Sequence, residues 1–218
     1  MDPEAVAKSR QFPFRFWSAW SAVQNLHWGE ALEAALELSV QNVPEFEGST
    51  LVLVDVSASM TGYGWSGSRR SGVAPSDIAA LFGAAVFAKN PKTARVAVFG
   101  DGNKDVTPKI KGSMLRNMEI FRENHGVGHS TYIERAATQQ YRGEDRIVIF
   151  TDMQAHDGGI GGHAPFGHYF DLGGYSGVPD GVGEGGIFLY SGFTDATFRQ
   201  MPLHELVRRS TWDEILGV

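Results

Sequence analysis

The sequence contains no cysteine, which excludes disulfide bonds and thiolate metal sites. It has no apolar run close to the roughly 20 residues that a membrane-spanning helix needs. The segment from Met1 to Arg10 also lacks the apolar stretch of a secretory signal. The absence of such a run and of a signal predicts a soluble, cytoplasmic chain with no membrane partner, whereas the absence of cysteine does not settle the compartment.

Basic residues are in the minority, with 19 lysines and arginines against 25 aspartates and glutamates and a formal net charge of -6. Lysine and arginine dominate the affinity of proteins for nucleic-acid phosphates. We therefore expect this chain alone to bind RNA weakly.

Two helical patterns occupy the amino-terminal part of the chain. The length of 218 residues and the hydrophobic content of 42% suit one large α/β domain with an appendage. Apolar residues recur at helical spacing from Pro13 to Val23 and again from Trp28 to Val40, which predicts a helical hairpin. A proline-containing stretch from Val43 to Gly48 then favours extended structure. We place the hairpin in residues 1–48 and a second domain in residues 49–218.

Short apolar runs and helical patterns alternate in the second domain. Four runs rich in β-branched residues show the little alternation that is typical of central parallel strands: Thr50 to Val54, Arg95 to Phe99, Arg146 to Phe150 and Gly186 to Leu189. Four helices are predicted: Ser76 to Lys89 with Ser76 as its cap, Met114 to Glu123, Tyr132 to Tyr141, and Asp195 to Arg209 with a break at Pro202. This order predicts an α/β fold with a doubly wound, mostly parallel, Rossmann-like sheet.

One edge strand and one long loop complete the predicted domain. The turn Asp101-Gly102-Asn103 is a hairpin signal, so Asp105 to Ile110 is predicted to return as an antiparallel edge strand beside Arg95 to Phe99. The glycine-rich segment from Asp157 to Gly186 predicts a single loop, longer than compact domains usually contain.

A shorter polar loop, from Thr61 to Pro75, carries three candidate contacts, Trp65, Arg69 and Arg70. These side chains suit stacking on a base or pairing with an acidic partner, although a basic pair in such a loop is equally typical of a solvated surface. We expect both loops to rise from the same edge of the sheet.

Asp55, Ser57 and Ser59 follow the first predicted strand at alternate positions. If the turn stays near-extended, the three side chains point to one side at the carboxyl end of the sheet. One carboxylate and two hydroxyls favour Mg²⁺, with Mn²⁺ or Ca²⁺ as alternatives, over zinc. An ion with so few charged ligands keeps an electrophilic position that accepts a carboxylate or phosphate oxygen from a partner.

Two further polar residues are expected at the same edge. Thr131, in His129-Ser130-Thr131, precedes a predicted helix, and Asp152 follows the predicted strand that ends at Phe150. The structural alternative is that the serines satisfy turn amides, Thr131 caps a helix and Asp152 accepts backbone hydrogen bonds. The short triplet alone would favour that alternative, whereas the three-part pattern favours a metal site.

The three segments DVSASM, GHST and FTDMQ resemble the metal-ion-dependent adhesion site of von Willebrand factor A-type domains. The resemblance implies five metal ligands, direct or through water: Asp55, Ser57, Ser59, Thr131 and Asp152. Two neighbouring positions depart from the family pattern. Ala58 replaces a glycine common between the serines, and Met153 replaces the glycine or glutamate that often follows the aspartate. Neither change removes a ligand.

A longer resemblance rests on the segments SRQFPFRFWSAWSAV, NVPEFEGSTLVLVDVSASM, FTDMQAH and FLYSGFTDATFRQMPL. They are similar to the carboxyl-terminal half of bacterial TROVE proteins, relatives of the Ro ribonucleoprotein. Such proteins pair a ring of helical repeats, which binds small noncoding RNA, with an A domain that closes the ring. The resemblance implies that residues 1–48 are the last helices of such a ring. Small noncoding RNA would then be bound mainly by a helical-repeat region that this chain does not contain.

Three functional hypotheses follow from these residues. The first is a non-catalytic interaction domain whose metal ion accepts an acidic or phosphate ligand from a protein or ribonucleoprotein partner. The second is direct RNA binding through Trp65, Arg69 and Arg70. The third is a metal-assisted phosphoester hydrolase in which a loop histidine, His129 or His156, acts as the base.

Overall fold

A computed structural model describes residues 3–9, 11, 13–23, 26–61, 74–124, 127–174, 177–183, 185–191 and 195–210. Six strands form one sheet: β1 (Thr50–Asp55), β2 (Ala94–Phe99), β3 (Asn103–Asp105), β4 (Arg146–Thr151), β5 (Phe166–Asp171) and β6 (Ile187–Ser191). Their spatial order is β3-β2-β1-β4-β5-β6, and only the β3 edge strand is antiparallel to its neighbour. The predicted fold class, a doubly wound and mostly parallel sheet, is confirmed.

Among the described residues, seven α-helices accompany the sheet: α1 (Pro3–Ser9), α2 (Pro13–Val23), α3 (Leu26–Ser39), α4 (Pro75–Lys89), α5 (Met114–Arg122), α6 (Ile133–Gln140) and α7 (Asp195–Arg209). None of them, within the part of the chain that the structure describes, is long and apolar enough to cross a membrane.

One face of the sheet packs against α4, α5 and α7. Val52 and Val54 of β1 lie in this cluster, and an aromatic stack continues it towards α7. Within the stack, the ring centroid of Phe170 lies 5.0 Å from that of Phe150 and 4.9 Å from that of Phe198. Helix α4 approaches β1 so closely that a Cβ at Gly83 would lie 2.6 Å from Val54 Cγ2. Helix α4 also packs against α2 and α5, which explains why it is apolar nearly all round.

The opposite face is covered by α6 and by the connection that leads from β4 to β5. Leu51 and Leu53 of β1 lie in this second cluster together with Ile160 of that connection. The backbone amide of Ile160 donates to the Tyr169 hydroxyl at 2.7 Å, which fastens the connection across β5. An extended, glycine-rich segment thus covers the sheet where a doubly wound fold usually places a helix.

The amino-terminal helices share the first of these clusters. Trp17 of α2 and Leu36 of α3 are buried in it beside residues of α4 and α5. The Arg122 guanidinium of α5 lies 4.9 Å from the Trp17 ring centroid. The hairpin therefore packs on the α/β unit through a continuous core, and the division at residue 48 stays a prediction.

The prediction of a single loop from Asp157 to Gly186 is wrong, because β5 lies inside it. Gly167 and His168 interrupt the β-branched pattern that marks the other central strands. Both residues have a packing reason: a Cβ at Gly167 would lie 2.3 Å from Ile160 Cδ1, and His168 is fully buried with hydrogen-bond partners. The insertion of β5 also moves the run at residues 186–189 from a central position to the β6 edge.

Three predicted boundaries differ from the structure. The antiparallel strand is Asn103–Asp105, so pairing starts directly after the turn, and Thr107–Lys109 form a 3-10 helix instead of a strand. Helix α4 begins at Pro75, which places Ser76 inside the first turn and not at the cap. Helix α7 continues through Pro202, which lacks the amide to donate a backbone hydrogen bond.

Candidate functional site

The Asp55 carboxylate lies at the carboxyl end of β1 and is fully buried. Its Oδ1 accepts a hydrogen bond from the Ser57 amide at 2.9 Å. Its Oδ2 accepts from the Thr151 hydroxyl at 2.7 Å. Because Thr151 is the last residue of the neighbouring strand β4, the carboxylate is fixed between two strand ends.

Ser57 and Ser59 lie side by side, as their alternate positions predict. The two Oγ atoms are 3.3 Å apart, and the Ser57 side chain is fully buried whereas Ser59 is partly exposed. The turn that carries them is closed by the Thr61 hydroxyl, which donates to the Ala58 carbonyl at 2.8 Å. The first loop thus offers two adjacent hydroxyl oxygens at the end of β1.

Thr131 is buried directly before α6, and backbone hydrogen bonds tie its loop to both other segments. The Ala58 amide donates to the His129 carbonyl at 3.2 Å, which joins the first and second loops. The His156 amide donates to the Thr131 carbonyl at 2.8 Å, which joins the second loop to the segment after β4. The three predicted loops therefore meet at one edge of the sheet.

Asp152 is buried just beyond β4, and its Oδ1 accepts from the Gln154 amide at 3.2 Å. The next residue, Met153, has a φ of 67° and is the one described non-glycine residue in the left-handed region. That conformation is about 1–2 kcal/mol unfavourable for a residue with a side chain. It gives a physical reason for the glycine that the adhesion-site pattern often has at this position.

Two ionised carboxylates without a compensating cation are electrostatically unfavourable at this end of the sheet. Burial raises the pKa of Asp55 from 3.8 to about 7, against the hydrogen bonds from Thr151 and Ser57, and the charge of Asp152 raises it further. A nearby cation would favour the ionised form of Asp55 and compensate for both effects. The oxygen atoms available there, from carboxylates and hydroxyls, are the kind that Mg²⁺, Mn²⁺ and Ca²⁺ prefer. No group of three or more histidines, aspartates or glutamates suited to a metal occurs among the described residues.

The two candidate bases lie at the site, whereas other described histidines lie elsewhere. His129 and His156 lie beside it and are exposed, while His163 bonds to Thr138 of α6, at 2.9 Å between Nε2 and Oγ1. His168 is buried within β5, with Nε2 2.9 Å from Glu205 Oε1. Burial lowers the pKa of His168. His125 lies outside the described residues, as do Trp65, Arg69 and Arg70.

Sequence reasoning missed two residues near the site. Thr151 donates a hydrogen bond to Asp55. Its position at a strand end, directly before Asp152, is a sequence signal that could have indicated a role at the site. Asp101 was assigned only to a hairpin turn, yet its carboxylate accepts from the amides of His129 and Ser130 at 3.0 and 3.1 Å. No local signal marks that role, because its partners lie 28 and 29 residues further along the chain.

The sheet order, with one antiparallel edge strand, is consistent with the Rossmann-like fold of von Willebrand A-type domains. Among solved structures, the chain is similar to the crystal structure of the Ro (RSR) protein of Deinococcus radiodurans, with a TM-score of 0.63 and 20% sequence identity. The similarity covers 92% of this chain and 46% of that one, so this chain spans less than half of that protein. No family model and no curated protein matches the sequence. The predicted likeness to Ro proteins is thus confirmed at the level of the fold.

Proposed function

We propose that this chain is a non-catalytic, divalent-metal-dependent interaction domain of a Ro-like, TROVE-type ribonucleoprotein. The observation that carries the proposal is the fully buried Asp55 carboxylate with the adjacent hydroxyls of Ser57 and Ser59. A buried, ionised carboxylate beside a second one is unfavourable, and either a proton or a bound cation can compensate its charge. In this proposal Thr131 and Asp152 supply further oxygens, directly or through water.

The ion would serve as a docking point. A divalent cation with few charged ligands keeps its affinity for one more oxygen, which an acidic side chain or a phosphate of a protein or ribonucleoprotein partner provides. We place this function in the cytoplasm. Small noncoding RNA would be bound mainly by a helical-repeat region outside this chain, in agreement with the excess of acidic residues here.

Calorimetric titration with Mg²⁺ and with Mn²⁺ tests the proposal. The wild type should bind one ion, and the double variant Asp55→Ala, Ser57→Ala should bind none. A matched control is the double variant Asp145→Ala, Ser49→Ala, because the Asp145 carboxylate also accepts hydrogen bonds from a serine amide and hydroxyl, at the opposite edge of the sheet. Equal binding by the wild type and the Asp55 variant, or no binding by the wild type, would overturn the proposal.

The partner chemistry needs its own measurement. With Mn²⁺ present, acetate or inorganic phosphate should bind the wild type and should not bind the Asp55 variant. Direct RNA binding through Trp65, Arg69 and Arg70 stays a prediction. If this chain binds RNA directly, its affinity for structured RNA should fall steeply with increasing salt concentration and when both arginines are replaced.

A further inference from the structure

Asp101, in the turn between β2 and β3, holds the loop that carries Thr131. Its Oδ2 accepts from the His129 amide at 3.0 Å, and its Oδ1 accepts from the Ser130 amide at 3.1 Å. Both carboxylate oxygens are therefore used by two consecutive amides of one loop. Hydrogen bonds of this kind, from backbone amides to an ionised acceptor, are about twice as strong as bonds between neutral groups.

The backbone of the turn and the backbone of the loop are in close contact. The Gly102 amide donates to the Val127 carbonyl at 2.9 Å. Gly128 has a φ of 130°, and a Cβ there would lie 2.3 Å from Asp101 Cβ. Only glycine fits this position without displacing Asp101, so the loop conformation and the carboxylate depend on each other.

The same turn is also fastened to α6, the helix that begins after Thr131. The Arg135 guanidinium donates to the Asp101 carbonyl at 3.1 Å. Asn103 exchanges side-chain hydrogen bonds with α6, donating to Gln139 at 2.7 Å and accepting from Gln140 at 2.6 Å. The turn thus holds both the loop before Thr131 and the helix after it.

This arrangement is joined to the first loop of the proposed metal site through His129. His129, whose amide donates to Asp101, accepts through its carbonyl from the Ala58 amide of the first loop at 3.2 Å. The hydrogen bond from the His129 amide is also the main cause that lowers the pKa of Asp101. Both carboxylate oxygens of Asp101 already accept hydrogen bonds from the loop. Asp101 therefore affects the proposed metal site by holding the loop and not by binding the ion.

We propose that Asp101 is a positioning residue for the metal site, because it holds the loop of Thr131 against the first loop, which carries Ser57 and Ser59. The inference rests on the proposed metal-binding function. Residues that orient metal ligands typically change metal affinity about 10–100-fold when they are replaced. We expect that range for Mn²⁺ binding by the variant Asp101→Ala.

Mn²⁺ titration of the full chain compares the wild type with four variants, of which Asp101→Ala is the first. Asp101→Asn keeps one oxygen acceptor and should bind Mn²⁺ with an affinity between those of the wild type and Asp101→Ala. Asp145→Asn is the matched control, since Asp145 also holds a loop by accepting two hydrogen bonds but lies at the opposite edge. The control should keep wild-type affinity. Gly128→Ala disturbs the same contact from the loop side and should also weaken Mn²⁺ binding. It takes the place of Asp101→Ala in the test if that variant does not fold.

A spectroscopic measurement separates positioning from a general loss of stability. If Thr131 leaves the ion, a water molecule takes its place, so bound Mn²⁺ should relax solvent protons faster in Asp101→Ala than in the wild type at saturation. Wild-type affinity and relaxation in Asp101→Ala, or equal weakening in Asp145→Asn, would overturn the inference. An absence of Mn²⁺ binding by the wild type would instead overturn the proposed function.

Discussion

Replacing Asp55 by asparagine should stabilise the metal-free protein at neutral and alkaline pH. The folded chain binds a proton at Asp55 more tightly than the unfolded chain, because burial raises the pKa of this carboxyl from 3.8 to about 7. The stabilising contribution of the protonated carboxyl is fully present below pH 3.8 and is lost as the pH rises through about 7. Asparagine cannot lose a proton, and its side-chain oxygen still accepts from the Ser57 amide.

The magnitude follows from the two pKa values. Each pKa unit corresponds to about 1.4 kcal/mol, so the step from 3.8 to about 7 amounts to about 4 kcal/mol at pH 8. This is an upper bound, because the asparagine amide must also find a partner beside Thr151. We therefore expect Asp55→Asn to have a higher free energy of unfolding than the wild type, by up to about 4 kcal/mol at pH 8 and by less than about 1 kcal/mol at pH 4.

Urea unfolding in EDTA, measured from pH 4 to pH 8, tests this prediction. The difference between variant and wild type isolates Asp55 from the other titrating groups. Asp145→Asn serves as the control of opposite sign: hydrogen bonds from the Ser49 amide lower the pKa of Asp145, so its loss should destabilise the protein at neutral pH. A wild type and an Asp55→Asn variant with parallel pH profiles would refute the reasoning.

Three further predictions concern other contacts. Thr151→Val removes the hydroxyl that donates to Asp55 at 2.7 Å, so Mn²⁺ affinity measured by calorimetry should fall about 10–100-fold, and an unchanged affinity would contradict this role. Glu205→Gln leaves the buried Arg146 charge without its ionised partner, whose Oε1 lies 2.7 Å from Arg146 Nε. This change should lower the free energy of unfolding by about 3–5 kcal/mol. A loss below about 1 kcal/mol would show that the ion pair does not stabilise the position of α7. Gly186→Ala should destabilise by more than about 1 kcal/mol, because φ is 99° and the new Cβ would lie 2.5 Å from the Pro165 carbonyl oxygen. Gly161→Ala, with nothing within 4 Å, should not destabilise, and equal melting temperatures of the two variants would argue against this account.

The central strands could be predicted from the sequence because their residues are buried on both faces. The apolar residues of β1 and β4 have no need of a particular partner, so their β-branched runs are visible in the sequence alone. In β5, by contrast, His168 is tolerated only because Glu205 and Tyr190 supply hydrogen bonds from elsewhere in the fold. A strand that depends on such distant partners has no local pattern by which to recognise it.

The candidate site divides in the same way. Asp55, Ser57 and Ser59 are predictable, because they follow one another within five residues at the end of a strand, and this spacing is a local property. The role of Asp101 is not predictable, because it depends on a loop that packs against its turn only in the folded chain. A strand-end threonine such as Thr151 lies between these cases, since its position is local but its partner is on another strand.

The hydrogen bond between Thr151 and Asp55 joins residues 96 positions apart in the chain. Contacts of such separation form only when a long loop closes, which costs entropy and slows folding. The polar edge therefore has no counterpart in the unfolded chain or in a partly folded form that lacks the pairing of β1 with β4. A cation that binds there would select the native state alone and raise its stability by mass action. The fraction of protein with the cation bound would then report the fraction of molecules that have folded.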